Sequence, residues 1–320
     1  MRQGGNSLAV RAMAAIPAPC LRSVPMEWQG GRRSDNVDDV GRGGGYGRPL
    51  AFGGGAIGII GAILFYLLTG QVPDVQQGQA PSQIGSGTQA QQPRSAADQE
   101  QREFVSVILA STEDAWSTVL PKQAGIQYQP PRLTLFEDAV QSACGFAQTA
   151  SGPFYCPADQ RVYLDLAFFS QLSRMGAPGD FARAYVIAHE VGHHVQNLLG
   201  IERRVMQLRR SVGSREDSNA LSVLTELQAD CYAGVWANHA NATHKSNNNE
   251  QLIHPSDIES GIAAAAAVGD DRLQRQARGY VTPESFTHGS SAQRVSWFKT
   301  GMQTGELRAC DTFGKAGVRL

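Results

Sequence analysis

The sequence predicts an α+β fold: a mostly helical domain with a small sheet, preceded by one membrane-spanning helix. Three observations predict it. Two short strand-like runs stand ahead of residue 180. Helical patterns follow one another after it, and few strands before many helices is the α+β signature. A twenty-residue uncharged apolar run stands in the first quarter of the chain. The 320 residues carry a formal net charge of -1 and 42% hydrophobic side chains. That supports one good-sized core with extra segments, and no charge excess argues for a nucleic-acid partner.

Residues 1–49 read as a disordered N-terminal segment in the cytoplasm. Arg2, Arg11 and Arg22 surround a modest apolar run that Arg11 and Pro17 break, too weak for a signal peptide. Ile16–Cys20 only loosely suggests a lipid-attachment site, and Pro19 disfavours it. Gly41–Gly47 lacks the Gly-Lys-Ser/Thr ending of a phosphate loop and reads as a flexible linker. Ser34-Asp35-Asn36 has no Ser-x-x-Lys partner and carries no hydrolase reading. Residues 50–69 are nearly all apolar, and twenty helical residues span about 30 Å, the hydrocarbon thickness of a bilayer. Arg32, Arg33, Arg42 and Arg48 precede this run, and the first basic residue after it is Arg94. The positive-inside rule then leaves the N-terminus inside and the rest of the chain outside the cytoplasmic membrane, in the periplasm or beyond. Residues 70–101, rich in Gln, Ser, Ala, Gly and Pro, read as a disordered tether.

The folded domain is expected over 102–313, with 314–320 as a tail. Residues 104–120 are helical in pattern. Arg132–Phe136 and Gln160–Leu166 read as strands, and Phe168–Ser173 as a short helix. Gly176–Gly179 is a linker. Asp180 is the N-cap candidate of a buried helix over 180–199, with Gly200 as its stop. Further helices are expected at about 216–240, 256–268, 270–277 and 290–303. The second of these opens on a capping box, Ser256-Asp257-Ile258-Glu259.

Helix 180–199 contains His189-Glu190-Val191-Gly192-His193, an H-E-x-x-H pattern. At i and i+4 the two histidines stack on one helix face and can hold one metal ion, with Glu190 placed to reach a water on it. Zinc suits neutral imidazole and needs a third protein ligand and an open position. The alternative is a core helix with two buried histidines and an ion-paired Glu, which is costly without a partner. A third histidine in the H-E-x-x-H-x-x-G-x-x-H spacing is excluded, because Gln196 and Leu199 occupy those places. Glu226, on a later helical segment with Leu224, Leu227, Ala229 and Cys231, is the expected third ligand of a single Zn2+ ion. Asp230, one turn on, is expected to accept a hydrogen bond from a ligand histidine's second nitrogen. The plainer alternative is a pair of surface acids. His194 points about 100° from His193 and reads as a packing or polar supporting residue.

These motifs, with Trp28–Val37, Gly152–Asp159, Gly269–Gln274 and Ser285–Gly289, resemble the putative neutral zinc metallopeptidases of bacteria, membrane-attached proteins with a zincin-like domain. The resemblance runs from about Met26 to about Phe313. It implies a zincin-like fold and a zinc-dependent peptidase, and it brings no known substrate. Met26 is therefore expected as the natural start, with residues 1–25 an over-extended reading frame.

Cys144, Cys156, Cys231 and Cys310 all follow the apolar run, and none has metal-binding C-x-x-C spacing. Cys144–Cys156 and Cys231–Cys310 disulfides are expected, in an oxidising compartment. Four buried thiols in a reducing cytosol is the alternative, and Cys20 stays unpaired.

The expected reaction is hydrolysis of a peptide bond in an envelope protein or peptide, with Glu190 as general base on a zinc-bound water. His288 is the candidate oxyanion donor, against an equally good reading as a turn-structuring residue. His254 reads as structural, and His239 and His244 as parts of an exposed polar loop. A catalytically silent, zinc-stabilised module that binds an envelope peptide or protein is the alternative function; Glu190, which such a module does not need, separates the two.

Overall fold

The computed structural model describes residues 26–42, 95–148, 152–244 and 251–320. A mixed four-stranded sheet packs against a larger helical body. Its strands are β1 (Val37–Arg42), β2 (Arg132–Glu137), β6 (Arg161–Asp165) and β5 (Phe154–Cys156), in the order β1-β2-β6-β5. β1, β2 and β6 run parallel, and β5 is antiparallel at the edge. A separate hairpin joins β3 (Ala139–Ser142) and β4 (Gly145–Gln148). Both sheet faces are covered. Leu133, Leu135, Val162 and Leu164 face the helices, while Phe136 and Tyr163 meet the hairpin's Val140 and Ala147. That double coverage is why β2 reads as a nearly continuous apolar run rather than an alternating one.

The helices are α1 (Ala96–Ala124), α2 (Ala167–Arg174), α3 (Asp180–Leu198), α4 (Ile201–Ser211), α5 (Arg215–Thr243), α6 (Ile258–Ala267), α7 (Asp270–Arg278), α8 (Ser291–Thr304) and the short α9 (Thr312–Lys315). α1 begins with a capping box between Ser95 and Asp98 and stops at Gly125, at φ 69°. It thus takes in residues 96–101, which were expected in the tether. Cys144–Cys156 ties the hairpin region to β5, and Cys231–Cys310 ties α5 to the C-terminal segment.

Two glycines set how closely the central helices pack. A Cβ at Gly192 on α3 would lie 2.9 Å from the Ala229 carbonyl oxygen on α5. One at Gly301 on α8 would lie 1.8 Å from the Cys231 carbonyl oxygen. Only glycine permits these backbone contacts, and they bring α3, α5 and α8 together around one point.

Several expectations are corrected. Residues 26–42, assigned to a disordered segment, are folded: Met26 and Trp28 lie in the main core and β1 pairs with β2. Alternation was too weak there to reveal a strand, because β1 is an edge strand with polar residues. Asp180 is the first residue of α3 rather than its cap; Gly179 holds the N-cap position, and Asp180 accepts the Trp28 indole N–H at 3.1 Å. Asp257, not Ser256, stands at the N-cap of α6, and its carboxylate accepts the His254 N–H at 2.8 Å. α5 runs on to Thr243, so His239 is helical rather than in an exposed loop, and its Nε2 meets the Gly305 carbonyl at 3.0 Å. The expected tail is partly packed, with Val318 against the Ile201, Leu221 and Phe313 cluster. Among the described residues no helix is long and apolar enough to cross a membrane; the expected span 50–69 lies outside them.

Candidate metal centre

α3 presents His189 and His193 one turn apart, and α5 presents Glu226 opposite them. Glu226 Oε2 lies 3.2 Å from His189 Nε2, and Glu226 Oε1 lies 3.5 Å from His193 Nε2. One donor atom from each of the three side chains lies within 4.8 Å of the others. Two imidazoles and a carboxylate are the donor set zinc takes in sites that keep a position open. His189 Nε2 and Glu226 Oε2 are buried without a hydrogen-bond partner. Two buried acceptor atoms facing each other are unfavourable until a cation stands between them. The residues present therefore fit one metal ion.

Both histidines are turned by their other nitrogen. His189 Nδ1 meets Asp230 Oδ1 at 2.9 Å, and His193 Nδ1 meets Gln196 Oε1 at 2.9 Å. These bonds place a proton on Nδ1 and leave Nε2 as the ligand atom. Gln196 is fixed in turn, donating to the Thr225 carbonyl at 2.8 Å and to Gln228 Oε1 at 3.0 Å.

Asp230 is the hub. Its side chain is fully buried, and Arg294 of α8, 1% exposed, clasps it through Nε to Oδ2 and Nη2 to Oδ1, both 2.8 Å. Tyr185 OH donates to the same carboxylate. Burial pushes the Asp230 carboxyl up, but Arg294 and His189 outweigh it and hold it below the usual carboxylate range. Burial opposes a charge on His189, yet Asp230 and Glu226 push its pKa up to about 10.

Glu190 is buried beside His189, and burial pushes its pKa up to about 7. The Tyr155 backbone N–H of edge strand β5 bonds to it. A small cavity with apolar walls, including Phe168, Val186 and Val268, opens beside Glu190 and His189, with Arg294 on its lining.

His288 is also buried, just ahead of α8. Its Nδ1 lies 3.2 Å from Asp270 Oδ1, while Asp270 Oδ2 accepts the backbone N–H groups of Thr287, His288 and Gly289 at 2.7–3.0 Å. His288 is near enough for its charge to lower the Glu226 carboxyl. His194 turns away from the site, as expected. Its Nε2 contacts the Gln129 carbonyl at 2.6 Å and its Nδ1 the Tyr155 hydroxyl at 3.0 Å. Burial lowers its pKa to about 4, so it is neutral.

The structure thus brings together His189, Glu190, His193, Glu226, Asp230 and His288. Sequence reasoning missed Arg294, Tyr185, Gln196 and Asp270. Gln196 stands three residues after His193, a spacing that could have marked it. Tyr185 stands four residues before His189, on the same face. Nothing local marks Arg294, because its partner is 64 residues away.

The chain is 44% identical over 307 residues to the uncharacterized Escherichia coli K12 protein YpfJ, covering 91% of this chain and 100% of that one. It is 45% identical over 213 residues to the uncharacterized Mycobacterium tuberculosis H37Rv protein Rv2575, covering 65% of this chain and 69% of that one. No solved structure matches. The model of the family described as "Putative neutral zinc metallopeptidase" matches residues 26–313, nearly the whole described fold. The chain belongs to that zinc metallopeptidase family.

Proposed function

We propose that this chain hydrolyses peptide bonds in proteins or peptides outside the cytoplasm, with one Zn2+ ion held by His189, His193 and Glu226. The observation that carries the reading is Glu190, a group a binding module would not need, buried against a convergent His-His-Glu donor set. Zinc, when bound, supplies a Lewis acid and makes water nucleophilic near neutral pH. Glu190 takes the proton of the attacking water and passes it to the leaving nitrogen. His288, its Nδ1 beside Asp270, donates a hydrogen bond to the oxygen on which charge develops in the form that carries protons on both ring nitrogens. Edge strand β5, bonded through Tyr155 to Glu190, offers an extended peptide a strand to pair with, as in a zincin-like arrangement. The two disulfides support an oxidising compartment.

The test is zinc content and peptide cleavage by the full chain and two variants. Glu190→Gln is expected to keep zinc and lose about 10²–10⁴-fold in cleavage, the usual contribution of a general base. Glu226→Ala is expected to lose the metal. Equal cleavage by wild type and Glu190→Gln would remove Glu190 from the mechanism. Zinc bound without cleavage in wild type would return the silent binding module.

A further inference from the structure

We propose that residues 26–42 and the metal-site domain lie in one compartment. The inference stands on how residues 26–42 are built into the domain. Met26 and Trp28 are 1% and 3% exposed within the main core. The Trp28 indole donates to Asp180, the first residue of the helix that carries His189 and His193. Glu27 N–H bonds to the Leu252 carbonyl, and Ser34 N–H to the Ser106 carbonyl. Arg32 reaches Glu113, Asp114 and the Ala110 carbonyl, at 2.8–3.3 Å. Ser34 and Asn36 bond to the other oxygen of Glu113, at 2.5 and 2.8 Å. β1 then lies parallel to β2 from Val37 to Arg42.

Glu113 is 8% exposed, and its carboxylate accepts bonds from Arg32, Ser34 and Asn36 of this segment. Withdrawing residues 26–42 would leave that carboxylate in the interior without Arg32, Ser34 and Asn36, open a gap at Met26 and Trp28, and uncover β2. These contacts are specific, buried and spread over the whole segment, unlike a chance surface contact.

The geometry of the ends completes the argument. Arg102, near the start of α1, pairs with Asp39 of β1, and Arg33 pairs with Glu103. β1 and the first turns of α1 therefore lie side by side on one flank of the domain. A bilayer cannot pass between two segments whose side chains touch. The single crossing expected for 50–69 would place Met26–Arg42 and the metal site on opposite sides, and β1 in the sheet forbids it.

The test uses the full chain in intact bacterial cells, with Cys20→Ser removing the cysteine outside the two disulfides. One variant carries Asp35→Cys, at an exposed position of the N-terminal segment, and a second carries Ser296→Cys, exposed on α8. A membrane-impermeant maleimide is applied to cells with a permeabilised outer layer and, in parallel, to fully lysed cells. Equal labelling of the two cysteines before lysis is expected. Labelling of position 296 with protection of position 35 until lysis, or the reverse, would overturn the proposal. Protection of both until lysis would support it while overturning the extracytoplasmic location, so the two readings fail separately.

Discussion

Replacing Arg294 tests whether a residue that touches no proposed ligand atom in the open position nevertheless sets up the metal site. Arg294→Met keeps the stem and removes the guanidinium. It leaves the Asp230 carboxylate at zero exposure, having lost two 2.8 Å bonds and the guanidinium charge. Breaking a buried pair by removing one member typically costs about 3–5 kcal/mol. Asp230→Asn strands the guanidinium instead and also weakens the hold on His189 Nδ1, 2.9 Å away. The double variant removes both charges, so its cost should fall short of the sum by about 1–3 kcal/mol. Each single variant should also weaken zinc binding by about 10–100-fold, the usual effect of losing a residue that orients a ligand. Urea unfolding of the metal-free proteins gives the first quantity, and competition with a chromogenic chelator gives the second. Costs that add to within about 0.5 kcal/mol would mean the two residues act independently. An unchanged zinc affinity in Arg294→Met would refute the chain of control from α8 to His189.

Three further predictions concern the frame around the site. Removing Cys231–Cys310, which closes a 79-residue separation, should cost about 4–5 kcal/mol, and removing Cys144–Cys156, with a separation of 12, about 3 kcal/mol, in the chain-entropy model; a larger loss for the short loop in urea midpoints would contradict it. Gly301→Ala should cost at least about 1–3 kcal/mol, because the new methyl group meets the Cys231 carbonyl and the helices must part; a melting temperature equal to wild type would show the helices are not in backbone contact. The Asp38 carboxyl, bonded chiefly to Arg132 and also to Arg161, is held at about 2 against an ordinary 3.8. A carboxyl lowered in the folded state adds stability above its unfolded pKa and loses it as pH falls, so the small advantage of wild type over Asp38→Asn, below about 1 kcal/mol for an exposed pair, should fade between about pH 4 and 2. A difference that stays constant through that window would separate Asp38 from the pairing of β1 with β2.

What was legible depended on whether partners are close in sequence. His189, Glu190 and His193 share one helix face, so their spacing announces their geometry. Glu226 and Asp230 repeat the same spacing on α5, and exclusion of a third histidine left them as the natural complement. Helices α3, α5, α6, α7 and α8 were readable because each has its own period and punctuation, whereas α4, Ile201–Ser211, was not expected. Gly200 marked a boundary correctly, whereas Asp180 and Ser256 have cap-like chemistry but serve a distant indole and a turn beside a different cap. β1 was hidden because its polar residues spend themselves on Arg102, Arg132 and Arg161, across 63 to 123 residues. Arg294 was hidden for the same reason. A lone basic residue in a helix reads as surface until the fold delivers an acid to it.

Arg294 also explains why an aspartate can stand behind His189 at all. A ligand imidazole must keep its Nε2 lone pair free, so Nδ1 has to carry the proton and needs an acceptor. A carboxylate is a strong acceptor only while it stays ionised, and a fully buried one tends to take up a proton. Were Asp230 protonated, it would offer a donor to Nδ1 and favour the wrong tautomer. Arg294 prevents this by lowering the carboxyl, and Tyr185 adds a donor on the same oxygen side. Asp230 and Arg294 cancel as a pair, so the charges left facing the metal position are Glu226 and, when ionised, Glu190. Two carboxylates against a divalent ion come close to neutrality in a buried site, which is the condition under which a buried charged cluster is stable. Gly192 and Gly301 are the geometric half of the same arrangement. They let α3, α5 and α8 approach until imidazole, carboxylate and guanidinium line up, so the small residue inside the metal-binding motif and the buried arginine of a distant helix serve one requirement.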